Sequence, residues 1–386
     1  MIFISGIIAA LLWTAIFLIV YSYLLYPLLL VFLNKFHKPV ESVLSSQLPN
    51  VSIIIAAYNE ETVISQRVKN CLALDYPREQ LEIIIASDGS DDQTNELVRK
   101  FEDQGVILFD YKERRGKVNV LNDTVPRAKH EILVFSDANT DFEKDALKKL
   151  VRHFQEPDIG CVCGQLKFVN ALGSKTGELE GVYWRFETLL KKMEGNRGSL
   201  LGANGAIYAI RKSLFVFCPP DTIIEDFVIP MKILEEGHRV VYEPKALAIE
   251  EAAKHIVQEK KRRIRIGAGD FQSLALLKPL LNPKRGFSAL AFWSHKVLRW
   301  FAPFFIIIAF ITNIFLLSNP YYQVLFLLQC IFYISAFIGQ VLNWAGVQIK
   351  FFSLCYYFIS MNISLFLGFV RFVTGTQKVA WERTER

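Results

Sequence analysis

The residues whose type and spacing suit them to chemistry are concentrated in one stretch, HEILVFSDANTD, running from His130 to Asp141. Ile132 to Phe135 is an unbroken apolar run of strand length, and Ser136, Asp137, Ala138, Asn139, Thr140 and Asp141 follow it at once. An apolar strand that ends in carboxylate and amide side chains sets hard oxygen ligands at the carboxyl end of a buried parallel strand. Open α/β sheets collect their ligands at that edge. Such oxygens suit Mg2+ or Mn2+, which bind through one or two carboxylates plus the phosphates of a substrate. Taken alone, the same residues also make a polar turn and a helix cap.

The elements that must position them read as an alternation. Val51 to Ala57 is a buried strand ending in Tyr58, Asn59, Glu60 and Glu61. Helical spacing follows at Val63, Ile64, Val68, Cys71 and Leu72, and Tyr76-Pro77 closes the helix. Leu81 to Ala86 is a second strand, stopped by Ser87, Asp88, Gly89, Ser90, Asp91 and Asp92; Val106 to Phe109 is a third, and Gly116-Lys117 opens a further helix before the Asp137 strand. Apolar strands alternating with helices predict an α/β fold with a mostly parallel sheet, covered on both faces by right-handed crossovers. Glu60, Asp88 and Asp137 then fall at the same sheet edge. Farther on, Ile159 to Leu166 reads as a fifth strand, Gly181 to Met193 as an amphipathic helix with Tyr183, Trp184 and Phe186, and Gly198 to Ala206 as a small-residue loop that a ligand can approach closely. Glu225-Asp226 opens a helix, and Arg239 to Tyr242 and Ala246 to Ile249 read as two short strands.

The ends of the chain are membrane-like. Of 386 residues, 52% are hydrophobic, and mean hydropathy is +0.26. Phe3 to Leu33 has no charged residue and exceeds the about 20 apolar residues a bilayer span needs. Lys35, His37 and Lys38 follow it, which by the positive-inside rule places the next domain in the cytoplasm. Further span candidates are 301–317, 322–344 and 351–373, with Gln329, Gln340, Asn343, Asn362 and Arg371 inside them. Three full spans would leave the basic tail outside, so one segment is expected to be interfacial or re-entrant. A net charge of +6, clustered in 254–265 and near Lys284, Lys296 and Arg299, fits lipid headgroups or phosphorylated substrates, and no nucleic-acid motif accompanies it. The six cysteines have no redox or zinc spacing and read as buried thiols.

Laid out in this order, the chain resembles the membrane-embedded glycosyltransferases of family 2, such as the synthases of cellulose, hyaluronan and poly-N-acetylglucosamine. The resemblance rests on Ala56-Ala57-Tyr58-Asn59-Glu60, on Ser87 to Asp92, on Gly116-Lys117, on Asp137-Ala138-Asn139, on Ile224-Glu225-Asp226 and on Arg262-Arg263-Ile264-Arg265-Ile266. It implies a GT-A catalytic domain at 51–252, with an anchor at 1–34, a linker at 35–50, basic and interfacial helices at 253–300, and transmembrane helices with a cytoplasmic tail at 301–386. It also implies a nucleotide site at Ala56, Tyr58, Glu60, Asp88, Lys117, Asp137, Arg262 and Arg265, with Asp88 accepting the uracil N–H. Mg2+ or Mn2+ would sit at Asp137 and Asn139, Asp226 beside Glu225 would be the general base, and Trp184, Gly202 and Asn204 would line the acceptor side. Two departures stand out. The family's Asp-x-Asp is Asp137-Ala138-Asn139 here, so Asn139 is a weaker ligand or Asp137 and Asp141 share the metal. The Gln-x-x-Arg-Trp motif keeps its Arg but has Arg262 and Ile266 at its ends; Trp184, Trp293 or Trp300 would have to supply the aromatic, and the tail Trp381 to Thr384 resembles the Trp-containing gating loop of the synthases.

The expected activity is inverting transfer from a UDP-sugar, at the cytoplasmic face of the plasma (inner) membrane, to a growing polysaccharide or a lipid-linked acceptor. Single transfer to a glycolipid is the alternative that the missing Gln and Trp favour. A silent nucleotide-binding membrane protein is a third reading, against which Glu225-Asp226 speaks.

Overall fold

The computed structural model describes residues 2–36, 47–169, 177–251 and 256–377, the side chains of 2, 177–184 and 256–259 excepted. His37, Lys38, most of the linker, Lys254 and the tail Trp381 to Thr384 lie outside the described residues, as does the side chain of Trp184.

The chain opens with helices α1 (Ile2–Val20) and α2 (Tyr26–Asn34), joined by a π-helical turn at Tyr21–Leu25. Strands β1 (Val51–Ala57), β2 (Leu81–Asp88), β3 (Val106–Tyr111) and β4 (Ile132–Asp137) alternate with α3 (Ile64–Leu72), α4 (Thr94–Arg99) and α5 (Lys117–Thr124). There follow β5 (Thr140–Phe142), α6 (Ala146–Val151), β6 (Ile159–Val169), α7 (Gly177–Asn196), β7 (Tyr208–Arg211), α8 (Glu225–Glu235) and β8 (Arg239–Glu251). The C-terminal part holds α9 (Ile256–Leu276), α10 (Phe287–Ala291), a second π-helical segment (Phe292–Val297), α11 (Leu298–Trp300), α12 (Ala302–Ile314), α13 (Pro320–Trp344) and α14 (Lys350–Val373).

One eight-stranded sheet runs in the order β3-β2-β1-β4-β7-β6-β8-β5. The four strands β1 to β4 pair in parallel, β7 is antiparallel to β4 and β6, and β6 pairs with β8 in parallel. The fold is a GT-A-like α/β domain. Strand periodicity divides its side chains between two cores. Ile53, Ile55, Ile83, Ile85 and Val134 pack with α3 and α6, while Ile54, Ile84, Leu133 and Phe135 join Val228 of α8, Phe271 of α9, Trp300 of α11 and Leu30 of α2. The second core therefore passes without a break from the sheet to the helices below it.

One strand reading needs correction. Arg239 to Tyr242 and Ala246 to Ile249 are a single strand, β8, which bulges between them: Gly164 pairs with Glu243 and Gln165 with Leu247. Pro244 has no N–H for the ladder, and the Glu243 carboxylate accepts from Lys245 N at 2.8 Å instead. All six cysteines are free, and Cys71, Cys161, Cys163, Cys218 and Cys355 are buried.

Among the described residues three helices are long and apolar enough to cross a membrane: Phe3–Asn34, Pro320–Trp344 and Lys350–Val373. The first C-terminal candidate, 301–317, is different. Its helix α12 has 13 residues, about 20 Å at 1.5 Å per residue, and makes a pair with Phe287–Trp300 that is bent by 58°. Where α14 crosses α9, Gly368 faces Gly267 and Ala268 so closely that a Cβ would meet Ala268 N at 2.7 Å.

Buried charges join the α/β domain to these helices. Tyr26 of α2 donates to Glu194 Oε1 of α7 at 2.9 Å, and His295 Nδ1 lies 2.7 Å from the same oxygen. The other ring nitrogen is 3.2 Å from Glu187 Oε2, and Arg299 donates to Glu187 Oε1 at 2.6 Å. Burial works against the Glu187 charge, but His295 and Arg299 hold its carboxyl well below the usual range. Removing one member of such a set strands the others, which costs about 3–5 kcal/mol. Glu187→Leu is expected to lower the unfolding midpoint of the detergent-purified protein steeply, whereas Glu96→Leu at an exposed position of α4 leaves it nearly unchanged; the check is thermal unfolding of both variants beside the parent.

Candidate active site

The parallel half of the sheet fixes where the candidate residues lie. Ala56 pairs with Asp137 across β1 and β4 and with Ala86 across β1 and β2, so the ends of these strands stand level. Lys117, the first residue of α5, follows Gly116, whose φ of 88° turns the chain into the helix. Its ammonium reaches across the edge to Asp137 Oδ1 at 2.8 Å and to Glu225 Oε1 at 2.9 Å. Asp226 follows Glu225 in the first turn of α8, where acids complement the helix dipole. Its Oδ2 accepts from the backbone N–H of Gly205 at 3.1 Å, so the small-residue loop lies against the carboxylate. A Cβ on Gly205 would come within 3.0 Å of that oxygen.

These charges set one another. Burial works against the Lys117 ammonium, but Asp137, Glu225 and Asp226 outweigh it and hold its pKa above the usual lysine value. Asp226 moves the other way. Burial, with Glu225 and Asp137 adding and Lys117 and Arg265 opposing, pushes its carboxyl up to about 6. A carboxylate poised there takes a proton from a hydroxyl near neutral pH.

On the β2 side, Asp88 is buried; its two oxygens accept from Arg115 N at 2.7 Å and Gly116 N at 2.8 Å. The carboxylate thus shapes the loop that delivers Lys117, and with about four lone-pair sites it retains acceptor capacity. Arg114 stacks 3.9 Å over the Tyr58 ring, making a flat lid beside Asp88. Glu60 is buried, and its backbone N–H donates to Thr94 at 2.8 Å. Asn59 takes the positive φ of 52° that an Asn tolerates better than most residues.

Among the described residues no group of three His, Cys, Asp or Glu could hold a metal. Asn139 donates its side-chain N–H to Glu250 of β8, which leaves the amide carbonyl as the atom free to ligate. Asp137 and that carbonyl fit a Mg2+ or Mn2+ whose remaining ligands are substrate phosphates and water. Asp141 is not among the groups gathered at Lys117; its charge acts on the Cys71 thiol.

Of the residues expected to line the acceptor side, Gly202 and Asn204 lie in the loop against α8 and Asp226. Gly202 has φ +83°, and a Cβ there would strike the Phe227 ring at 2.4 Å. Asn204 is held by Gly164 O at 3.1 Å and accepts from Lys191. On α9, Arg265 donates to Ile223 O at 3.2 Å, just ahead of Glu225, while Arg262 is exposed. Trp184 is on α7. Sequence reading missed the Lys117 to Glu225 ion pair, the Arg114 stack and the Glu250 partner of Asn139. The first two had a signal, a basic run ending in Gly-Lys; the third, 111 residues away in the chain, had none.

A mostly parallel sheet with a lysine between carboxylates at its carboxyl edge, resting on helices of membrane-spanning length, defines a GT-A type of transferase. Residues 52–215 match the model described as Glycosyl transferase family 2, and this domain belongs to that family. The poly-beta-1,6-N-acetyl-D-glucosamine synthase of Staphylococcus aureus (strain COL) is 31% identical over 248 residues, 63% of this chain and 58% of that protein. The synthase of the same name from Staphylococcus epidermidis is 28% identical over 234 residues, covering 59% and 56%. The matched part thus spans under two thirds of these curated relatives. Among solved structures, the mannosyltransferase PcManGT from Pyrobaculum calidifontis, in complex with GDP-Man and Mn2+, superposes with a TM-score of 0.73 over 94% of this chain and 99% of that one, at 22% identity. That likeness shows the fold.

If Asp226 is the base, activity is lost as pH falls through about 6, where its carboxyl takes up a proton. Lys117→Met removes the charge that opposes this rise, so its acidic limb moves to higher pH. A pH–rate profile of both proteins, with nucleotide affinity measured in parallel, checks the pair; coincident acidic limbs would refute the coupling.

Proposed function

We propose that the chain is an inverting glycosyltransferase that moves a sugar from a UDP-sugar to a hydroxyl-bearing acceptor, polysaccharide or lipid-linked, at the cytoplasmic face of the membrane. The observation that carries this reading is the ammonium of Lys117 between Asp137 and Glu225, with Asp226 beside it. A cation that already faces carboxylates at a sheet edge is placed to meet a diphosphate, and a carboxylate next to it is placed to take a proton.

In this reading Asp88, with Tyr58 and Arg114, holds the nucleotide base, its acceptor atoms favouring the N–H edge of uracil. Lys117 and Arg265 face the diphosphate and offset the charge that grows as the sugar leaves; Arg262 is available to the same end from the exposed side of α9. Asp137 and the Asn139 carbonyl would hold Mg2+ or Mn2+, which supplies Lewis-acid stabilisation of the diphosphate. Asp226 deprotonates the acceptor hydroxyl as it attacks from the face opposite the leaving group. One displacement inverts the anomeric centre, giving a β-linkage from an α-donor. Gly202 and Gly205 let their loop, which with Asn204 would line the acceptor side, lie directly against Phe227 and Asp226.

The names of the staphylococcal relatives support a polysaccharide acceptor. Single transfer to a lipid is favoured by Ile266, where an aromatic platform is absent and the side chain packs on the core. The test supplies UDP-glucose, UDP-N-acetylglucosamine, UDP-galactose and GDP-mannose in turn to lipid-reconstituted protein, with and without Mn2+, and sizes the products. A coupled product from a UDP-sugar is expected, with Asp226→Asn lowering the rate by about 10²–10⁴-fold while UDP binding survives. Product from GDP-mannose alone would overturn the donor assignment; no product from any donor would overturn the enzyme.

A further inference from the structure

Two ionisable side chains near the proposed base are left without partners. Asp270 of α9 follows Gly269, which packs so closely on the entry to α8 that a Cβ would lie 2.9 Å from Ile224. Lys296 is in the π-helical segment after α10, and its Nζ lies 5.9 Å from the ring centre of Phe227, the neighbour of Asp226. Both side chains are part-buried. Among the described residues neither has a hydrogen bond or an ion pair, whereas Glu187, Glu194, His295 and Arg299 around them are tied to one another. Beside the first turn of α8 they offer an uncommitted carboxyl and an uncommitted ammonium, each able to hydrogen-bond a ligand.

We propose that Asp270 and Lys296 form an acceptor subsite on the membrane side of Asp226, one that binds adjacent hydroxyl groups of a hydroxyl-rich acceptor head. The subsite rests on the transferase reading above. Its chemistry selects the ligand by exclusion. An anion drawn to Lys296 would also face Asp226, and a cation drawn to Asp270 would face Lys296. Neutral hydroxyl pairs, which both donate and accept, satisfy a carboxyl and an ammonium together. Burial, with Asp226 adding and Lys296 opposing, pushes the Asp270 carboxyl up to about 8, so near neutrality it also has a proton to donate. The π-helical distortion at Phe292–Val297 is of a kind often found at functional sites; a regular helix would turn the residues after it by a different angle.

The hydroxyls belong either to a lipid-linked sugar or to the end of a polymer, and occupancy of the subsite can be read without turnover. Full-length protein in phosphatidylcholine nanodiscs is treated with a limiting acylating reagent, and modification of Lys296 is followed by peptide mass spectrometry. The probes are octyl β-glucoside below its micellar concentration, a β-1,6-linked N-acetylglucosamine trimer, and dioctanoylglycerol, which has a single hydroxyl. One or both sugar probes at saturation are expected to slow acylation of Lys296 by at least about fivefold. Protection by the glycoside alone assigns the subsite to a lipid-linked sugar, and by the trimer alone to a polymer end. Asp270→Ala should abolish the protection while UDP affinity and the unfolding temperature stay at parental values. Equal protection by dioctanoylglycerol, no protection by either sugar, protection that persists in Asp270→Ala, or a Lys296 that does not react overturns the proposal. None of these outcomes depends on which donor is used, so they are separable from failure of the transferase reading.

Discussion

One constraint orders the catalytic edge: three acidic side chains converge there, and a single lysine stands among them. Like charges that close cannot all remain ionised in a part-buried site unless a cation compensates them. Lys117 does so for Asp137 and Glu225 by direct contact, at 2.8 and 2.9 Å. Asp226 is left with the weaker, through-space share of that charge and with burial, and its carboxyl rises to about 6. The division of labour follows from geometry. Two carboxylates are in direct contact with the ammonium, and the third is not. Because Lys117 opens α5 directly after a loop that Asp88 pins by two backbone N–H groups, the position of that cation depends on Asp88.

A second constraint ties this edge to the helices beneath it. The core face that contains Ile54, Leu133 and Phe135 continues into Phe271, Trp300 and Leu30, so α8 and its two acids are wedged between sheet and helical layer. Apolar burial gives this contact its strength, at about 1.5–3 kcal/mol for a fully buried large side chain. It does not fix direction. The chain of Tyr26, Glu194, His295, Glu187 and Arg299 does, since each link needs a particular donor and acceptor. Both π-helical segments border this network, and Tyr21 of one lies 2.9 Å from Ser294 of the other. The site is thereby held in register with helices of membrane-spanning length.

Much of the edge was legible from sequence because parallel strands buried on both faces have a local signature. Runs such as Val51 to Ala57 and Ile132 to Phe135 announce themselves, and polar residues directly after them must fall at one edge. Glu225-Asp226 was legible for the same reason, as acids at a helix start. What was hidden depends on pairings with no local pattern. Whether β8 is one strand or two is decided by a bulge opposite Gly164. The insertion of β7 between β4 and β6 reverses the direction of pairing, which apolar content does not encode. Asp270 and Lys296 sit in helices whose residues look like an ordinary amphipathic face, and only the packing of Gly269 on Ile224 turns one of them toward the site.

The same reasoning gives a physical account of Asn139. An aspartate there would be a fourth carboxylate near a single lysine, and it would also face Glu250, to which the amide now donates a hydrogen bond. Asn converts that contact from repulsion to attraction. The loss is one unit of charge for a divalent ion, since an amide oxygen ligates without neutralising. In the proposed reading Lys117 supplies a positive charge at the edge, so a diphosphate there would not depend on an ion alone for compensation. On the proposed reading, a weaker ion site and a strongly held lysine would be two sides of one arrangement, with part of the positive charge built into the chain.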